Sequence, residues 1–151
     1  MKKWYALVML LFPLCMSVND NCKDYDFNYF KLSVPANWEY KKGNGIDAFT
    51  GTVTGAKILL KFNFSEQGFS PNLNISDDEN EHDYLIKTEK QGNFIRKLVI
   101  SKKASQGMTG IYIYQVHRSI EDFRSFSMVG FNLSETQQSV AIKVFKTIKL
   151  K

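Results

Sequence analysis

Lys57–Ser65 reads KILLKFNFS. Ile58, Leu60, Phe62 and Phe64 fall on one side of an extended chain; Lys57, Lys61, Asn63 and Ser65 fall on the other, and only Leu59 departs. Successive side chains of a strand point to opposite faces, so this alternation marks a strand with one face in a core. A helix would scatter the four apolar side chains around its surface. The same period recurs. In FKLSVP, Phe30, Leu32 and Val34 share a face, and Pro35, which has no N–H, ends the strand or lies at an edge. Ile46–Thr54 follows the turn cluster Gly43-Asn44-Gly45 and is rich in Thr, Val and Phe. Thr54-Gly55-Ala56 then turns tightly into KILLKFNFS, which makes an antiparallel hairpin. YLIKTEK and FIRKLVISKK flank Gln91-Gly92-Asn93 as a second hairpin, and MTGIYIYQVH and FRSFSMVGFNL flank the polar turn RSIED. Short connections favour antiparallel pairing, because parallel strands need a long crossover.

The period changes in NLSETQQSVAIKVFKTIKLK. Ser134 and Gln137 fit a capping box. Val140, Ala141, Val144, Phe145 and Ile148 then share one helical face, while Lys143, Lys146 and Lys149 suit the negative end of the helix dipole. The expected fold class is α+β: an antiparallel sheet of about six to seven strands with a C-terminal amphipathic helix packed on one face. Tyr112 and Tyr114 lie on the other face, so it is not bare.

A chain of 151 residues is one domain's worth. Its start, MKKWYALVMLLFPLCMS, has Lys2 and Lys3 before an apolar run from Trp4 to Leu14, too short for the roughly 20 residues of a membrane-spanning helix. With Cys15 and Ser17 as the small residues before cleavage, residues 1–17 read as a secretory signal, 18–26 as an extended arm, and 27–151 as one α+β domain. The other reading lipidates Cys15, although Leu14 is bulky where a lipobox takes a small residue. Loss of Lys2 and Lys3 leaves 18 basic against 15 acidic residues, a net +3 that does not point to nucleic acid. Twelve Phe and seven Tyr can fill a core without staples. Cys22, the one cysteine left, has no intramolecular partner and reads as an exposed thiol.

Few residues could carry chemistry. The acidic stretch SDDENEHD offers hard oxygens from Asp77, Asp78, Glu79, Glu81 and Asp83, with the His82 imidazole, to calcium, but it lacks the EF-hand spacing and reads as a solvated loop before it reads as a metal site. His82 and His117 are the only histidines, and neither belongs to an HxxxH or CxxC pair. There is no GxSxG elbow, and Gly43-Asn44-Gly45 is not followed by the Lys-Ser/Thr of a phosphate loop. Arg96, Lys97, Lys102 and Lys103 beside Phe94 make a basic hairpin, which reads as a sheet edge protected by cations rather than as a single-strand binder. Asn63, Asn74 and Asn132 sit in glycosylation sequons; a strand place for Asn63 and a cap place for Asn132 explain those two better. No catalytic residue, cofactor or metal is assigned.

Two segments carry a resemblance. FNYFKLSVPANWEY is similar to the opening strand-P-x-x-W of the PsbP-like superfamily, with Pro35 and Trp38 at its marked positions. GFNLSETQQSVAIKVFKTIKLK resembles the last strand and closing helix of small secreted bacterial proteins near that superfamily, on Phe131, Asn132, Leu133, Ala141, Phe145, Thr147 and Ile148. The resemblance implies a small sandwich on a central antiparallel sheet. It also implies a non-enzymatic role in docking to another protein or an envelope component, in the periplasm or outside the cell. The fold's usual N-terminal helix has no counterpart in the glycine-rich NWEYKKGNG. From a different class, a small-molecule or lipid carrier would use the aromatics to line a pocket. Pro35 and Trp38 read as strand-ending and core-anchoring residues before they read as the lip of a ligand site.

Overall fold

The computed structural model describes residues 21–66, 82–116 and 124–151. The leader with Cys15, the first residues of the arm, most of the acidic stretch and the RSIED turn lie outside the described residues. The elements are β1 (Cys22–Asp26), β2 (Phe30–Pro35), β3 (Glu39–Lys42), β4 (Phe49–Gly55), β5 (Ile58–Ser65), β6 (Tyr84–Gln91), β7 (Phe94–Ser101), β8 (Met108–Gln115), β9 (Ser125–Phe131), α1 (Glu135–Thr147) and β10 (Lys149–Leu150). They form an α+β fold with two antiparallel sheets. The larger has seven strands in the order β3-β4-β5-β9-β8-β7-β6, and the smaller has three in the order β1-β2-β10.

The number of strands in the main sheet agrees with the sequence expectation, but the membership differs. β2 leaves that sheet to become the centre of the small one, and β3, too short and polar to show a period, takes the seventh place. The expected arm is extended and also paired: Cys22–Asp26 lies against β2 from Cys22↔Pro35 to Asp26↔Lys31. β4 begins at Phe49 rather than Ile46. The loop between β3 and β4 closes through Gly43 N–H donating to Thr50 O at 2.9 Å, which leaves Ile46 outside the strand. Pro35 ends β2, as its missing N–H requires.

The small sheet and α1 together form the second layer. Their shared core is aromatic. Phe30, with no exposed surface, meets Phe62 at 5.4 Å, Phe64 at 6.2 Å and Phe126 at 4.7 Å between ring centroids. Leu60, Ile113 and Met128 extend the core under α1, which contributes Ala141, Val144 and Phe145, with Ile148 at its end. On the other face of the large sheet Val99 and Tyr112 are buried, and Tyr112 stacks on Tyr114 at 5.2 Å. Burial raises the Tyr112 phenol above its ordinary value.

α1 starts as its sequence dictates. Ser134 Oγ accepts from Gln137 N–H, and Gln137 Oε1 accepts from Ser134 N–H at 2.9 Å. Its end is less obvious. β10 pairs with β2 only at Lys149↔Lys31 and Leu150↔Phe30. At the next place the Thr147 side chain stands in for a strand: Ser33 N–H donates to Thr147 Oγ1 at 3.0 Å, and that hydroxyl reaches Ser33 O at 3.0 Å and Val144 O at 2.7 Å. The Ser33 N–H is thereby satisfied within a part-buried layer, and its C=O shares the one hydroxyl proton with Val144 O.

Candidate docking groove

A groove of about 290 Å³ opens where β2 ends and α1 passes over it. Val34, Pro35, Trp38 and Ala56 form one wall, and Val140 and Val144 form the other. Among the described residues Lys143 is the one charged side chain lining it, and Ser33, Thr147, Asn37 and Cys22 supply its polar edge. The Cys22 thiol is free and exposed.

Trp38 makes this groove possible and is itself a core residue, 2% exposed. Its indole lies against Gly55, where an added Cβ would sit 2.1 Å from the ring. A side chain at position 55 would therefore displace the tryptophan. Gly55 reads as a turn glycine in the sequence but is a strand glycine that leaves room for Trp38. The turn itself is Ala56-Lys57, both left-handed at φ 49° and 62°. Gln137 Nε2 ties this turn to the helix start by donating to Lys57 O at 3.1 Å. The groove wall is thus braced from the β4–β5 turn and α1 together.

A second cavity, of about 240 Å³, lies between the β6–β7 hairpin and α1, with Leu98, Ile100, Ile111, Ile142 and Phe145 as its floor and Lys87, Glu89, Arg96 and Lys146 at its rim. Arg96 does not belong to the solvated basic edge expected of this hairpin. It turns inward, half-buried, and donates to Phe145 O and Ile148 O at 3.0 Å each, capping the helix C-terminus. Desolvation lowers its pKa, and Glu89 opposes that shift. Strand parity held the clue: Arg96 alternates in line with Phe94, Leu98 and Ile100, and a cation in an apolar row needs a buried acceptor. A third hollow, of about 430 Å³, lies between the Gly45–Ala48 stretch and Tyr29, Phe49 and Phe64. Ile46 stands at its margin 98% exposed.

Asp77, Asp78, Glu79, Glu81, Asn74 and His117 lie outside the described residues, so the calcium reading rests on Asp83 and His82 alone here. Asp83 pairs with Lys103 at 2.9 Å, and that bond holds its carboxyl below the usual value. His82 is exposed. Among the described residues no three His, Cys, Asp or Glu side chains group as a metal site. Asn63 lies within β5, and Asn132 is left-handed at φ 55°, its N–H donating to Gly107 O at 2.8 Å. Among the described residues no helix is long and apolar enough to cross a membrane. Ala56 carries no signal in the sequence beyond its turn, and Val140 and Lys143 none beyond an amphipathic helix, because the groove exists only where two distant elements meet. Comparison with protein-family models, with curated proteins and with solved structures finds no match to this chain.

Proposed function

We propose that the protein is an exported, non-enzymatic docking module that holds an apolar segment of another protein, or of an envelope component, in the groove between Trp38 and α1. The observation that carries this reading is the groove itself: an open apolar furrow backed by a buried tryptophan and braced by a hydrogen-bonded turn. Its volume is at the lower end of small-molecule sites, and its open form suits a protruding side chain better than an enclosed ligand. Apolar anchors seated in pockets carry most of the energy of protein docking. The PsbP-like resemblance, which groups proteins that act by docking, favours the same reading.

Export and the groove are tested together. The tagged chain is recovered from envelope and culture-medium fractions and compared with Val140→Glu and Lys143→Glu, both on the half-open side of the helix. The expected result is specific partner recovery that falls about tenfold in Val140→Glu, while the melting temperature stays within a few degrees. Equal recovery by both variants and the wild type would overturn the groove reading. The carrier reading rests on the hollow lined by Tyr29, Phe49 and Phe64. A small molecule retained in native mass spectrometry, and lost in Phe49→Ala, would favour it instead.

A further inference from the structure

The two edges of the seven-stranded sheet are unlike. β3 is four residues long and carries Lys41, Lys42 and Glu39. β6 runs eight residues without a proline, and among the described residues it pairs with β7 alone. Its two-residue turn, Gly92-Asn93, is closed by the pair Gln91↔Phe94. In an antiparallel hairpin of this kind the closing pair is hydrogen-bonded, and the pattern alternates from there. Gln91, Glu89, Lys87 and Leu85 therefore turn their backbone groups to β7, in phase with Lys102 N–H donating to Asp83 O. Lys90, Thr88, Ile86 and Tyr84 turn theirs to the open edge.

We infer that β6 pairs with β6 of a second copy of this chain, antiparallel and centred on Thr88, to make one continuous sheet across a dimer. The sequence Lys87-Thr88-Glu89 is self-complementary about a two-fold axis at Thr88. In this register Thr88 faces Thr88 as a hydrogen-bonded pair. Lys87 faces Glu89 twice, as the non-hydrogen-bonded pairs whose side chains come closest. Neighbouring registers are opposed by charge: centring on Lys87, Glu89 or Lys90 would set each against its own copy. Glu89 already lies across from Arg96, and Lys87 from Leu98, so the new pairs extend a row of side chains beside α1. Leu85, 43% exposed on that same face, would meet Gln91 of the second copy. The interface is isologous, as closed dimers require. It is separate from the groove at Trp38, and neither depends on the other.

The test is sedimentation equilibrium of the full chain up to about 1 mM, where even weak association shows. The wild type is expected at twice the chain mass. Glu89→Lys and Lys87→Glu alone each set like charges across the axis, and each should weaken the dimer about tenfold or more. An equimolar mixture of those two variants restores opposite charges and should recover the dimer as a heterodimer. So should the double variant Lys87→Glu/Glu89→Lys by itself. Thr88→Pro, which removes an edge N–H where proline is tolerated, should abolish pairing. Because Lys87 and Glu89 are exposed, circular dichroism should show all the charge variants folded. A monomeric wild type throughout the range, or a dimer that both single charge variants leave intact, would overturn the inference.

Discussion

At one end of the large sheet, β3, β4 and β5 lie beneath the small sheet, and Tyr25, Phe27, Tyr40, Phe49 and Phe62 interlock with ring centroids 5.0–6.0 Å apart in the contacts that Phe27 and Tyr40 make. At the other end, β6 has β7 beside it and leaves most of its side chains exposed. The two ends share one backbone pattern and differ in what covers it. Ladder hydrogen bonds exchange for water at little net gain, whereas apolar burial does not, so local stability should follow the aromatic layer rather than the ladder. The less covered end is also the one whose long edge strand is able to accept another strand.

The comparison breaks most visibly at Phe30. Phe30→Ala removes a fully buried ring at the junction of both sheets and should cost about 4 kcal/mol in chemical denaturation, whereas Leu85→Ala on β6 should cost under about 0.5 kcal/mol. Similar losses at the two sites would show that the ends are equally packed. Arg96 is the hairpin's main polar tie to α1, and Arg96→Met strips two carbonyls of a charged donor. A loss of about 2 kcal/mol is expected, with faster hydrogen exchange in β6 and β7 but not in β4 and β5. Thr147→Val should cost about 1 to 2 kcal/mol, because it leaves the N–H and C=O of Ser33 without the hydroxyl that completes the small sheet. Here the faster exchange should appear in β1 and β2.

The smallest effect separates the two ends by pH. Hydrogen bonds from Lys151 and Lys31 hold the Asp26 carboxyl below its ordinary value, and Lys103 does the same for Asp83. A carboxylate with a lowered folded-state pKa stabilises above its unfolded value and loses that contribution as pH falls through the folded one. Both groups are exposed, so the effects are small. On acidification from neutral pH to about 3, Asp26→Asn should lose less stability than the wild type, and Asp83→Asn should show a weaker form of the same change. A larger effect at Asp83 would place the stronger ion pair at the open end.

Several elements could be read from residues close in the chain. KILLKFNFS is β5, the Ser134–Gln137 box starts α1, and YLIKTEK and FIRKLVISKK make their hairpin around a Gly92 with φ 60°. Alternation, capping and turn chemistry each act over two to four residues, so the local sequence carries them. The α+β class follows from those parts and their short connections. Arg96 is not legible in this way: it reads as part of a solvated basic edge, and its inward turn depends on the Phe145 and Ile148 carbonyls of a distant helix end.

The tertiary structure decided the rest. FKLSVP has the same alternation as KILLKFNFS, yet it joins a different sheet, because membership depends on which distant edge offers the better buried partner. Gly55 serves Trp38 rather than the turn beside it, and Thr147 completes a strand that lies 114 positions away. The groove has the same origin: Pro35, Trp38, Ala56 and Val140 meet only after both layers have packed. Each of these depends on contacts between residues far apart in the chain, where shape and the satisfaction of buried polar groups select one arrangement among many that local periodicity allows.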